Sequence, residues 1–320
     1  MTSALADPPA PPHLAHGLAH ALVARCAALP PLTTAVAHPV DALSLAGAVK
    51  AAVAGLIQPI LVGPEARIRA AAADAGLDIS AYALEPAPHS HAAAARAVAL
   101  VREGKAAMIM KGSLHTDELM HEVVDHDAGL RTGRRISHAF LMDVPTYPRP
   151  LLITDAAINV LPDLETKRDI VQNAIDLAHA LEIPDPRVAI LAAVETVTPK
   201  LPSTLDAAAL SKMADRGQIT GGRVDGPLAF DNAVNMAAAK EKGIVSEVAG
   251  RADILVVPDL EAGNMLVKQL TFLAGADAAG VVLGARVPIV LTSRADSEQA
   301  RIVSCAIGVL MNQVRPAVAA

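Results

Sequence analysis

From residue 33 onward, short apolar runs alternate with alanine-rich amphipathic segments. The apolar runs include TTAVA, IQPILVG, AAMIM, ISHAFLM, PLLIT, RVAILAAV, DILVV, AAGVVLG and PIVL. Near-continuous apolar strands separated by helices are typical of a parallel sheet covered by helices on both faces. The alternation therefore predicts the α/β class. It also directs the search for ligand sites to the carboxyl ends of the strands.

Helix start and stop signals fit this pattern. Pro64 and Glu65 suit a first helical turn, and Gly76 suits a helix end. Further helices are predicted near 116–127, 166–181, 203–215, 262–274 and 296–313. The proline-rich TYPRP at 146–150 is the best candidate hinge, because the chain on either side of it contains several strand–helix units.

The composition excludes several classes of protein. A chain of 320 residues with 52% hydrophobic and 19% charged residues can bury a large core, enough for two domains. The net charge of −6 argues against general nucleic-acid binding, and 2% aromatic residues provide no stacking platform. Two cysteines exclude a disulfide scaffold and a multi-cysteine zinc site.

No segment has the composition of a membrane span. The longest stretch without Asp, Glu, Lys or Arg is 8–24, and it contains four prolines and three histidines. A spanning helix needs about 20 consecutive apolar residues. No Lys or Arg precedes Arg25, so the positive region of a secretory signal is missing. We expect a soluble, cytoplasmic protein with a variable N-terminal leader at 1–30.

Polar and small residues follow four of the apolar runs, while the GxxxxGK[ST], early GxGxxG and GxSxG signatures are missing. The four segments are Lys111-Gly112-Ser113-Leu114-His115-Thr116, Glu195-Thr196-Val197-Thr198-Pro199-Lys200, Pro258-Asp259-Leu260-Glu261-Ala262-Gly263-Asn264 and Thr292-Ser293-Arg294. A Gly-Ser turn entering a helix presents backbone N–H groups to an anion, and an Arg fork suits phosphate. Together these segments predict a cleft for a phosphorylated ligand.

From about residue 40 onward the chain resembles the phosphate acetyl/butyryltransferases. The resemblance is densest in KGSLHTDEL, RRISHAFLMDVP, ITDAAIN, KMADRGQITGGRVDGPLAFDNAV, VAGRADILVVPDLEAGNM and LTSRADS. It implies two three-layer α/β/α domains with largely parallel sheets and a cleft between them, related to the isocitrate and isopropylmalate dehydrogenases. The C-terminal helix would return to the first domain, giving domains 1–149 plus 295–320, and 150–294.

The resemblance also implies the reaction, which is acyl-CoA plus phosphate giving acyl phosphate plus CoA. The transfer is direct, in a ternary complex, and requires no metal and no organic cofactor, since CoA is a substrate. We expect an acetyl preference, with butyryl or another short acyl group as the alternative. A homodimer is implied, and no nucleic acid or membrane partner.

Site residues follow from the same strings. The resemblance places Ser293 and Arg294 at the reacting centre, with Arg294 clamping phosphate and Ser293 hydrogen bonding the thiol or the tetrahedral intermediate. The phosphate-side loop would consist of Gly112, Ser113, His115 and Thr116. The remaining candidate binding residues are Lys111, Arg134, Arg135, Asp231, Asp259, Gly263 and Asn264. Arg134 and Arg135 are candidates for the CoA phosphates, although a solvated charge run is an equal alternative.

One position departs from the family pattern. Acetyl-specific members carry an Asp seven residues after the Ser of the Ser-Arg pair, proposed as the base that removes the thiol proton, and this chain has Ala300 there. Asp296 is the replacement candidate, with Asp231 and Asp259 as further options. The departure leaves the acyl preference open. It also makes a catalytically silent CoA-binding protein an alternative function.

Structural alternatives exist for several of these residues. Ser293-Arg294 could be a helix cap with a solvated Arg, and Asp259 with Glu261 could cap a helix. Cys26 and Cys305 lack the electropositive setting of a nucleophile. A decarboxylating dehydrogenase of the related fold would need a cluster of metal-binding Asp residues and a dinucleotide site, and the sequence shows neither.

Overall fold

The computed structural model describes residues 17–291 and 297–314. The strands in this part of the chain are β1 (Leu32–Ala37), β2 (Ile57–Gly63), β3 (Ala83–Pro86), β4 (Met108–Lys111), β5 (Ser137–Asp143), β6 (Leu151–Thr154), β7 (Arg187–Leu191), β8 (Arg223–Leu228), β9 (Ile254–Val256), β10 (Asp277–Leu283) and β11 (Ile289–Val290). The helices are α1 (Leu18–Cys26), α2 (Ala42–Val53), α3 (Glu65–Asp74), α4 (Ser90–Arg102), α5 (Thr116–Val124), α6 (Leu164–Ala180), α7 (Pro202–Asp215), α8 (Phe230–Val234), α9 (Met236–Glu241), α10 (Leu260–Leu273) and α11 (Glu298–Val314). None of these helices is both long enough and apolar enough to cross a membrane.

The eleven described strands form one continuous sheet in the order β3-β2-β1-β4-β11-β10-β5-β6-β9-β7-β8. Strands β1, β2, β3, β4 and β11 pair in parallel, and so do β6, β7, β8 and β9. The central strands β10 and β5 pair antiparallel with each other and with their outer neighbours β11 and β6. The predicted mixed α/β class with a mostly parallel sheet is confirmed.

Three reversals of direction separate β11 from β6, so the two parallel groups run in opposite directions. The prediction of separate parallel sheets is wrong to this extent: β5 and β10 join both groups into one sheet. Seven residue pairs connect β10 to β5, from Asp277–Asp143 to Leu283–Ser137. Period-2 and apolar-run patterns do not encode strand direction, so the sequence did not reveal the reversal.

The two faces of the sheet are packed differently. Helices α1, α2, α3, α6, α7 and α11 cover one face, over a single apolar cluster that runs from Leu22 to Val188 and Ile254; we call it the shared cluster. On the other face, α4 and α5 cover the first-half cluster, which includes Leu119 and Ile136. Helices α8, α9 and α10 cover the second-half cluster, which includes Ala156 and Val267.

The predicted helices are confirmed, with small shifts at their ends. The C-terminal helix α11 packs against α1 and α2, and Gly47 of α2 gives room to the side chain of Arg301 of α11. The predicted hinge at 146–150 joins two neighbouring antiparallel strands, β5 and β6. It is tied down, because the Tyr147 hydroxyl donates to the Ala252 carbonyl and Arg149 lies 3.6 Å from Asp253. The division into domains stays a prediction.

Candidate functional site

The four polar strand ends fall into two pairs. Strands β4 and β11 are parallel neighbours, so Leu291 and Lys111 lie side by side at one edge of the sheet. Strands β7 and β9 are also parallel neighbours, but they end at the opposite edge. The prediction that all four ends meet at one edge is therefore wrong. No described hydrogen bond or ion pair links the 111–116 group to the groups around Asp231 and Asp259.

The turn after β4 is held by contacts within the protein. The Gly112 N–H donates to the Ala37 carbonyl (2.9 Å) and the Ser113 N–H to the His38 carbonyl (2.8 Å). Lys111 is buried, and its Nζ donates to the carbonyls of Gly112 and Leu114 at 3.3 and 3.0 Å. The expectation that this Gly-Ser turn offers free N–H groups to an anion is wrong, since β1 takes both of them.

The segment after β1 completes this support. His38 is buried, and its Nδ1 lies 2.8 Å from the Ser113 carbonyl, so Nδ1 carries the proton. The Ser113 hydroxyl binds the carboxylate of Asp41, the N-cap of α2. Burial raises the pKa of Asp41, but hydrogen bonds from Ser113 and Ser44 outweigh it, and the net shift is downward. Sequence reasoning missed His38 and Asp41, although they follow an apolar run as the other candidates do.

Helix α5 begins directly after this turn. His115 is its N-cap and Thr116 its first residue, and both are exposed. The His115 side chain makes no capping hydrogen bond, so it leaves the first-turn N–H groups unoccupied by its own atoms. Of the predicted phosphate-side loop, these two residues are the accessible ones. An uncapped helix start beside the end of β11 is suited to an anion.

At the opposite edge, α10 and the loop after β6 form one unit. Asp259 is the N-cap of α10 and accepts from the Ala262 N–H at 2.8 Å, which confirms the helix-cap alternative. Gly263 is buried, and a Cβ there would lie 2.9 Å from the Asp155 carbonyl oxygen. Asn264 donates to the Ala156 carbonyl (3.4 Å). These residues attach α10 to the loop that follows β6.

Asp155 organises that loop. Its carboxylate is 2% exposed and accepts from the N–H groups of Ala157, Ile158 and Asn159 and from the Asn159 side chain. Burial raises the pKa of Asp155 despite these hydrogen bonds. A buried carboxylate that only shapes a loop is costly. Sequence reasoning quoted ITDAAIN without selecting Asp155 or Asn159; the signal was a polar strand end, as elsewhere.

Asp231 belongs to a separate polar group behind β7. Its carboxylate is exposed and lies 3.8 Å from Lys242, which also binds Glu195 at 2.9 Å. Burial is slight for Glu195, and the Lys242 hydrogen bond lowers its pKa. The buried Asn232 donates to the same Glu195 carboxylate at 3.3 Å. Asp231 is therefore not joined to the other candidate bases.

Arg134 and Arg135 lie at the start of β5, against α6. Arg134 forms an ion pair with Asp176, and the Arg135 N–H donates to Asp169. Arg134 lines a cavity of about 680 Å³ between α6 and the end of α11, beneath the face of the shared cluster. This is the face opposite α5 and α10, so the geometry does not favour Arg134 as a ligand of the same site.

Ser293, Arg294 and Asp296 lie outside the described residues. Within the described ranges, no three His, Cys, Asp or Glu side chains are close enough to hold a metal ion. Cys26 and Cys305 are buried and unpaired. Burial raises the pKa of Cys26 to about 11 and that of Cys305 to about 12, as expected for core thiols rather than nucleophiles.

Three comparisons identify what the chain is similar to. A sequence model of the family described as "Phosphate acetyl/butaryl transferase" matches residues 88–309. A "Phosphate acetyltransferase" of Rhizobium meliloti is 66% identical over 289 residues, which cover 90% of this chain and 92% of that protein. A "Phosphate butyryltransferase" of Clostridium acetobutylicum is 44% identical over 257 residues, 80% of this chain and 85% of that protein. The crystal structure of a branched-chain phosphotransacylase from Enterococcus faecalis superposes with a TM-score of 0.77 at 29% identity, covering 88% of this chain and 99% of that chain.

Proposed function

The chain belongs to the phosphate acetyl/butyryl transferase family, and on that premise we propose that it transfers an acetyl group reversibly between CoA and inorganic phosphate. The observation that carries this is the near full-length similarity to a phosphate acetyltransferase. In the direction of thioester synthesis, the CoA sulfur attacks the acetyl carbonyl of acetyl phosphate. The carbon–sulfur bond forms, the carbon–oxygen bond to phosphate breaks, and the thiol proton passes to a base.

Butyryl transfer is the related alternative. Ala300 stands where the acetyl-specific pattern has an Asp, and its N–H donates to the Ser297 hydroxyl in the first turn of α11 (3.1 Å). A methyl side chain cannot remove a thiol proton, so the base must come from elsewhere. We favour Asp296 for that role, because Asp259 is a helix cap and Asp231 is paired with Lys242.

For the phosphate we propose Arg294 together with the start of α5. Arg294 would pair with the phosphate oxygens and Ser293 would hydrogen bond the thiol or the tetrahedral oxyanion. His115 and Thr116 are the exposed residues at the helix start, beside the edge where β11 ends. Lys111, Gly112 and Ser113 would act indirectly, by fixing that start. No metal or organic cofactor is required by this chemistry.

The arrangement of the core supports a cleft and two domains. On the face of α5 and α10 the first-half and second-half clusters are separate, whereas the other face has the shared cluster. We place the cleft where the two clusters are separated, with domains at 1–149 plus 295–320 and at 150–294. Asp259, Gly263 and Asn264 would then border the cleft on the side opposite α5.

A homodimer is supported by the surface of α10. Met265, Phe272 and Leu273 are 56%, 77% and 85% exposed, and they recur at a spacing that puts them on one side of the helix. Such a patch on a monomer marks an interface. We propose that it pairs with a second copy, and that Phe272→Asp converts a dimer into a monomer in light scattering. The two unpaired cysteines agree with a reducing compartment such as the cytoplasm.

The deciding experiment follows thioester absorbance from CoA with acetyl phosphate and, in parallel, with butyryl phosphate, without added metal or nicotinamide. We expect turnover with acetyl phosphate that collapses in Arg294→Ala. Arg216→Ala, which removes the same charge at the exposed end of α7, is the control and should retain activity. Faster turnover with butyryl phosphate would assign the alternative substrate. Binding of CoA without any thioester would instead favour the silent binder.

A further inference from the structure

Asn159, at the end of the loop after β6, has a side-chain amide whose orientation is fixed. Its Nδ2 donates to the Ile136 carbonyl at 2.9 Å and to the Asp155 carboxylate at 2.5 Å. Both amide hydrogens are therefore used. Turning the amide over would place its oxygen against two acceptors, so the reverse orientation is excluded.

The amide oxygen is the unused half of this group. Among the described residues, nothing donates to Asn159 Oδ1, and the side chain is only half-buried. Asp155, buried and holding four donors, exists in this loop chiefly to fix Asn159 and the turn before it. The result is a rigid hydrogen-bond acceptor that the protein itself does not satisfy.

The location of Asn159 relates it to the proposed cleft. Within the same loop, Ala156 belongs to the second-half cluster, and Ile158 packs against the first-half cluster. The loop therefore crosses from one cluster to the other, and Asn159 follows directly. The next residue, Val160, accepts from the Leu260 N–H at the start of α10. Asn159 thus lies where the two halves of the cleft face meet.

The chemistry of the substrates selects the ligand. Acetyl phosphate presents only acceptors at neutral pH, and orthophosphate presents mainly acceptors, so neither suits an isolated acceptor. The pantetheine arm of CoA carries two amide N–H donors, which form stronger hydrogen bonds than a thiol does. We propose that Asn159 Oδ1 accepts a hydrogen bond from a pantetheine amide of CoA, and that Asp155 is the positioning residue that aims it. The assignment rests on the proposed function.

The test separates CoA from acetyl phosphate kinetically. We expect Asn159→Ala to raise the KM for CoA about three- to tenfold, the effect of one neutral hydrogen bond, with the KM for acetyl phosphate changed less than about twofold. Asn235→Ala is the matched control, since Asn235 caps α9 and is exposed. It should cost stability without moving the KM for CoA. An unchanged KM for CoA in Asn159→Ala, or equal changes for both substrates, would overturn the proposal.

A second measurement uses the wild-type chain and does not depend on whether the variant folds. Desulfo-CoA, which cannot turn over, is titrated by calorimetry, followed by analogues in which one pantetheine amide N–H is replaced by an ester oxygen. One analogue should bind wild type about three- to tenfold more weakly, and Asn159→Ala should not discriminate against it. Equal affinity of wild type for both ester analogues and desulfo-CoA would refute the contact. Because no turnover is needed, failure of the proposed reaction would be seen separately, as absent thioester with normal binding.

Discussion

Replacing Gly112 by Ala tests whether the turn after β4 is an internally supported platform. An added Cβ would lie 2.5 Å from the Ala37 oxygen and 2.8 Å from the His38 carbonyl carbon and oxygen. All three are backbone atoms, which cannot rotate away. The turn must therefore separate from β1, and the hydrogen bonds of Gly112 and Ser113 to β1 are strained or lost.

The cost can be estimated from these contacts. Overpacking against a rigid neighbour costs about 1–3 kcal/mol. Two backbone hydrogen bonds contribute about 0.5–1.5 kcal/mol each. We therefore expect Gly112→Ala to lose about 2–6 kcal/mol of unfolding free energy. Because the start of α5 moves with the turn, thioester formation should fall at least about tenfold even where the protein remains folded.

The assay is urea unfolding followed by circular dichroism, together with thioester formation at a urea-free temperature where the variant is folded. Gly133→Ala is the control, since a Cβ there meets nothing within 4 Å and its φ is outside the left-handed region. The control should stay within about 0.5 kcal/mol of wild type. If Gly112→Ala matches the control in stability and rate, the turn is not fixed by β1 and our account of Lys111, Gly112 and Ser113 is incorrect.

Three further predictions follow from buried groups and close contacts. Burial lowers the pKa of His138 from 6.5 to about 4, so between these values the unfolded chain binds the extra proton; the unfolding free energy should fall by up to about 3 kcal/mol as pH drops from 7 to 4, and His138→Leu should remove that part of the slope in urea titrations. Iodoacetamide at pH 8 should leave native Cys26 and Cys305 unmodified by mass spectrometry, since the pKa values of about 11 and 12 keep both as thiols; rapid labelling would contradict their burial. Gly263→Ala should lower the melting temperature and raise the KM for CoA, because its Cβ would lie 2.8 Å from Val257 Cγ2 and 2.9 Å from the Asp155 oxygen, pushing α10 off the loop after β6; Gly133→Ala again serves as the control.

Most elements of the fold were predictable because their signals are local. The alternation of apolar runs with amphipathic segments gave the strands and helices in order, and the predicted helices match α5, α6, α7, α10 and α11 closely. Strand direction is set by long-range pairing, so the central antiparallel strands β5 and β10 were not predictable from run composition. This reversal is what separated the four polar strand ends into two pairs.

The site was predictable in part, for the same reason. A Gly-Ser turn before a helix identified the correct segment at 111–116, but the sequence could not show that β1 consumes its N–H groups. His38 and Asp41 are separated from Ser113 by more than 70 positions in the chain, and only the parallel pairing of β1 with β4 brings them together. Likewise, the asymmetry of Asn159 depends on Ile136, 23 residues earlier.

The shared cluster has a consequence for how the protein unfolds. Its side chains come from both predicted domains, from Leu22 and Leu45 to Val188 and Ile254. Exposing one domain therefore removes apolar cover from the other, and neither can melt while its partner keeps its full stability. Calorimetry should show one cooperative transition rather than two, and a fragment cut between 149 and 150 should populate an expanded, aggregation-prone state.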